Sequence, residues 1–141
     1  MSSPRPAQWW PKPDAGDIAW CHFPHLPSLE PSPKPRPALI IQVFEDAAPC
    51  HRVLVAYGTS QKTDALRAGE FLVARSMGEP YRLAGLSFDT KFNLGVCIEL
   101  DYNDLWFKAP PAAPFGQRPK MGLLHASLMR SFQAAWRAGH P

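Results

Sequence analysis

Apolar positions recur along the chain with two periods, and the change from one to the other divides it. Residues 17–23, from Asp17 to Phe23, follow Gly16 and stop before Pro24, which predicts a first strand. Ala38 to Phe44 is a near-continuous apolar run, the pattern of a strand buried on both faces. Arg52 to Tyr57 predicts a third strand, reached through a turn at 45–49. Thr63 to Ala68 then predicts one helical turn, and Glu70 to Ala74 a short strand. Val96, Ile98 and Leu100 alternate with Cys97, Glu99 and Asp101, so one more strand turns the first set inward and the second outward. Past residues 109–119 the period lengthens. Leu124, Leu128, Phe132 and Trp136 fall on every fourth position, with Met121 and Met129 alongside. That stripe predicts an amphipathic helix over about 120–138, ending near Gly139. Short strands followed by one helix imply a mainly β (α+β) fold, a small barrel or curled sheet with a helix packed over it.

Composition alters this picture mainly through proline. The 17 prolines cluster at 4–13, 24–37 and 109–119, and a residue with fixed φ and no N–H suits neither helix interiors nor central strands. These stretches read as a flexible tail over 1–14, a long loop, and a linker within a single domain spanning 15–141. With 45% hydrophobic and 19% charged residues, the chain is too apolar to be disordered. No apolar run is long enough for a membrane helix, and the first residues lack the apolar stretch of a secretory signal. Three cysteines without a CxxC spacing suit free thiols in a reducing compartment, so a cytoplasmic protein is expected. All 12 acidic residues lie between Asp14 and Asp104, leaving both ends purely basic. Basic ends either attract nucleic-acid phosphates or are simply solvated.

Three segments carry a resemblance. Gly16-Asp17-Ile18-Ala19-Trp20, then Lys34-Pro35-Arg36-Pro37-Ala38-Leu39-Ile40-Ile41, then Thr59-Ser60-Gln61 resemble, in order and spacing, the PemK/MazF family of toxin ribonucleases. A weaker match continues through Gly85–Phe92. The resemblance implies an SH3-like barrel of the PemK/MazF/CcdB type and a homodimer. It also implies metal-independent cleavage of single-stranded RNA, no cofactor, and inhibition by a separately encoded antitoxin. It gives Arg36 the role of stabilising or protonating at the scissile phosphate and gives Thr59 the role of holding that phosphate. Related toxins poison DNA gyrase by protein contact, so a non-catalytic regulator that binds nucleic acid or protein is the alternative.

The residue chemistry is compatible with RNA cleavage. RNA supplies its own nucleophile, the 2′-hydroxyl, so the protein needs only charge for the phosphorane, donors for the phosphate, and a route for protons. Arg36 offers a permanently charged fork matching phosphate oxygens, held extended between two prolines. Equally, it can staple the fold by pairing with Asp17 or Glu30. Thr59 and Ser60 can donate to phosphate or merely close a turn on themselves. Lys34, Gln61, Lys62 and Lys91 are candidate RNA contacts, alongside Arg67. A base must be sought elsewhere, because arginine is a poor one. His22, His25 and Asp89 are the candidates, each with a plain alternative as a solvated or structural group. Cys21 with His25, and Cys50 with His51, match zinc spacing poorly, so no metal is expected. Trp9, Trp10 and Trp106 can stack on bases or dock a partner, whereas Trp20 and Trp136 sit in apolar patterns that suit a core.

Overall fold

The computed structural model describes residues 6–45 and 49–141. The first five residues of the expected tail and positions 46–48 of the expected turn lie outside the described residues. Six strands form one sheet: β1 (Asp17–Cys21), β2 (Arg36–Phe44), β3 (Arg52–Thr59), β4 (Glu70–Val73), β5 (Thr90–Asp101) and β6 (Lys120–Leu123). Their order across the sheet is β4-β5-β3-β2-β1-β6, and every neighbouring pair is antiparallel. A short helix α1 (Glu79–Ala84) packs against both edge strands, β4 and β6, so the curled sheet makes an open barrel whose edges α1 bridges. The C-terminal helix α2 (Met129–Gly139) lies over β4 and β5. No helix among the described residues is long and apolar enough to cross a membrane.

The apolar run of β2 is buried on both faces, as its composition demands. Ala38 and Ile40 enter one cluster with Val53, Val55 and Phe107, while Leu39 and Ile41 face a second with Phe71, Phe92 and Leu128. Phe92 and Phe107, one in each cluster, are fully buried; burial of such a ring is worth about 2–3 kcal/mol. Neither face of the sheet is therefore a solvent face. The cluster around Phe107 is sealed by the stretch after β5 and by Trp10, whose Nε1–H donates to the Phe107 carbonyl at 3.0 Å. Trp9 also forms a bridge with Asn103. The chain at residues 8–10 is thus fastened to the barrel, so this part of the expected tail is tied down.

Several expected elements shift. The first strand stops at Cys21, because the next amide, that of His22, donates to Trp106 O outside the sheet. Residues 63–68 form turns and not a helix, and Lys62 just before them takes φ 52°. β5 begins at Thr90, before the alternating stretch, and residues 94–96 stand out of register where Ala56 gives way to Tyr57. Cys97, expected outward, is half-buried against the α2-side core.

The helix expected over 120–138 begins only at Met129. Lys120–Leu123 is strand β6 instead, pairing Gly122 with Ile18 and Leu123 with Asp17. Phe132 and Trp136 do form the expected stripe on α2. Phe132 meets Phe71 edge-on at 6.1 Å, and Trp136 stacks on His140 at 3.9 Å. His140 Nε2–H in turn donates to Leu94 O at 2.7 Å, tying the helix end to the irregular part of β5. Helix α1 has no counterpart in the sequence reading; Gly78 opens it, and Gly85, at φ 70°, ends it.

Candidate functional site

The start of β2 and the end of β3 lie side by side, since Ala38 pairs with Tyr57. This antiparallel register brings Arg36 and Thr59, far apart in sequence, to one end of the sheet. Gly58 makes the approach possible: a Cβ there would stand 2.4 Å from Pro37 O and 2.8 Å from the Phe92 ring. The two strand ends border a groove of about 160 Å³ whose walls include Trp20, Lys34, Arg36, Thr59, Ser60 and Phe88.

Arg36 is half-buried at this groove, and no ion pair or hydrogen bond of its side chain occurs among the described residues. The stapling role open to it in the sequence is not taken up. Asp17 pairs with Lys120 at 3.3 Å and also accepts the Asp14 amide, while Glu30 sits in the exposed loop. A half-buried guanidinium without a carboxylate keeps its donors available to an anion. Thr59 Oγ1 accepts the Gln61 amide at 3.1 Å, which closes the turn and leaves the hydroxyl proton to donate elsewhere. The turn-closing role open to Thr59 is thus taken up, and it does not consume the hydroxyl proton. Ser60, next to it, is exposed.

The remaining candidates separate. Gln61, Lys62 and Lys91 line a different hollow of about 330 Å³ with Arg67 and Glu70, which meets the Arg36 groove only at Thr59. Lys91 is not a free surface cation. Its ammonium is buried and donates to Glu70 Oε1 at 3.1 Å and to Ala65 O at 3.2 Å. With both side chains nearly fully buried, removing one partner strands the other's charge. Lys91→Met is expected to lower stability by about 3 kcal/mol, read as a shifted midpoint in urea unfolding. A change below 1 kcal/mol would mean that the pair is solvated.

His22 lies away from the groove. It is buried, its Nδ1–H donates to Ser32 O at 2.7 Å, and its Nε2 has no partner among the described residues. It fixes the proline-rich loop to the end of β1. His25 is exposed in that loop. Asp89 is engaged as well: its Oδ1 accepts the Arg75 amide at 2.7 Å and caps the turn at Arg75–Met77. Its neighbours Phe88 and Thr90 line the groove, but Asp89 does not. The lining thus holds cations and hydroxyls without a histidine or carboxylate. No cysteine lines the groove either, and burial pushes the Cys97 thiol up to about 11 and the Cys21 thiol higher still. Among the described residues, no three His, Cys, Asp or Glu side chains group as metal ligands would.

The tryptophans also redistribute. Trp9, Trp10 and Trp106 gather around the 102–107 stretch and do not line the groove. Trp20, assigned to the core by its apolar setting, packs on that core and lines the groove as well. Phe88 and Met121 join it there without any local signal, since one follows α1 and the other arrives on β6. No protein-family model matches the chain, and no curated protein matches it.

Proposed function

We propose that the chain is a metal-independent endoribonuclease of the PemK/MazF kind on an SH3-like barrel. In this reading it cuts single-stranded RNA as a cytoplasmic homodimer and is held in check by an antitoxin. One observation carries it: Arg36, Lys34, Thr59 and Ser60 share a groove in which Arg36 has no carboxylate partner. The RNA 2′-oxygen attacks phosphorus and the bond to the 5′-oxygen breaks, leaving a 2′,3′-cyclic phosphate and a 5′-hydroxyl. Negative charge grows on the non-bridging oxygens, where a guanidinium fork and the Thr59 hydroxyl stabilise the phosphorane more than the ground state. Neither covalent catalysis nor a metal is required for that step.

The groove's lack of a histidine or carboxylate favours a second reading, a protein that binds nucleic acid or a protein target without cutting. Incubating a long single-stranded RNA with purified protein in EDTA separates the two. The ribonuclease reading expects cleavage that persists in EDTA and products bearing cyclic phosphates by mass spectrometry. Failure of folded protein to cut RNAs of varied sequence would favour the binder.

A further inference from the structure

A larger hollow adjoins the Arg36 groove. It lies between α1 and the proline-rich stretch 110–115, encloses about 640 Å³, and shares Trp20, Ser87 and Met121 with the groove. Its walls are aromatic and apolar, with Trp20, Tyr81 and Phe115 among them, and Arg82 is the charged residue at its rim. The residues lining the two hollows include Lys34, Arg36 and Arg82 and no carboxylate, although Arg82 pairs with Glu79 at 3.1 Å beside the rim. Phe115 is 44% exposed, and Lys120 Nζ sits 4.6 Å from its ring centroid, steadying a ring that still offers area to a ligand. Tyr81, although buried, has a hydroxyl with no hydrogen-bond partner among the described residues.

We infer that this hollow receives a base of the single-stranded RNA, from a nucleotide next to the phosphate held at Arg36. The inference rests on the ribonuclease reading and adds a base-binding subsite to it. A nucleic-acid strand alternates charge and flat apolar rings. The two adjoining hollows repeat that alternation, one cationic with hydroxyl donors, the other aromatic. Every base has a face that can stack on Trp20 or Phe115, and Arg36 in the adjoining groove, a cation unpaired among the described residues, suits the neighbouring phosphate of a polyanion. The volume is in the range of small-ligand sites, roughly 300–1,000 Å³. Segment 110–115 then acts as a specificity element, because it supplies the outer wall against which the base rests.

A short 2′-O-methyl RNA, whose blocked nucleophile prevents cutting, serves as the probe, titrated by fluorescence anisotropy. Phe115 lies in an exposed loop, so Phe115→Ala is expected to keep the fold and to weaken binding about tenfold. Phe115→Trp is expected to restore binding. Walking one abasic position along the oligonucleotide should find a site where wild type loses a similar factor and Phe115→Ala loses no more. Salt dependence should flatten for Arg36→Ala but not for Phe115→Ala. If Arg36→Ala weakens binding while Phe115→Ala binds like wild type, the subsite is overturned and the ribonuclease reading stands. The hollow would then be open to another occupant, such as a protein chain. If wild type does not bind the oligonucleotide, both fall.

Discussion

Arg36→Ala is expected to slow RNA cleavage about a thousandfold, the scale of losing a main donor to a developing phosphorane. Its thermal midpoint should stay within a few degrees of wild type. The two halves of this expectation come from one fact. Arg36 makes no ion pair among the described residues, so its removal strands no buried carboxylate and breaks no staple. Arg36→Lys keeps the charge but loses the planar fork, and about a tenfold to hundredfold loss is expected from it. Initial rates on one RNA in EDTA, with circular dichroism melting of the same samples, measure both quantities. Undiminished cutting by Arg36→Ala would place the chemistry elsewhere. A collapse of the midpoint in step with activity would show Arg36 to be a structural residue.

Gly122→Ala is expected to destabilise the protein by about 4 kcal/mol, enough to leave little folded protein in a domain of ordinary stability. Gly122 lies on β6 where α1 crosses it. A Cβ there would stand 2.3 Å from both Ala84 C and Leu83 O, and 2.5 Å from Ala84 O. These are backbone atoms of a helix end and cannot swing aside as a side chain would. Gly85 meets the same contact from the other side, its own Cβ position being 2.0 Å from Met121 O. Relief of the clash must move α1 off β6, opening the bridged seam of the barrel and uncovering Met121, Tyr81 and Ala84 in the core. The denaturant midpoint measures the effect. A wild-type midpoint would mean that α1 already stands further from β6 than described.

The sequence revealed those parts whose cause is local. β2 announces itself because seven neighbouring residues are nearly all apolar. Arg36 and Thr59 are linked in the sequence only by the resemblance; the register sets them side by side because they flank consecutive antiparallel strands. β6 escaped because Met121, Leu124 and Leu128 fall three and four residues apart, copying a helical face, while its backbone partner β1 is remote in sequence. The first half of β5 escaped although Lys91 and Asn93 alternate with Phe92 and Leu94, because Gly95 separates this short alternation from the one that starts at Val96. Lys91 is tolerated there only because Glu70 arrives on β4. His22 and Asp89 looked free for proton transfer; their commitments to Ser32 O and the Arg75 amide come from loops whose course no periodicity encodes. The 109–119 stretch looked like a mere linker, and its role as a wall depends on where α1 lies.

The pairing of β1 with β6 has a consequence for the order in which the groove is assembled during synthesis. A ribosome delivers Arg36 and Thr59 early, and β2 and β3 can zip together as soon as both emerge. Trp20 also waits early in the chain, but Met121 reaches the groove only with β6, the last strand to be made. Closing so distant a contact is slow relative to neighbouring hairpins. A nascent chain therefore carries Arg36 for most of its translation on a half-built surface. The finished groove appears only after the seam strand docks, so the surface around Arg36 is among the last parts of the barrel to take shape.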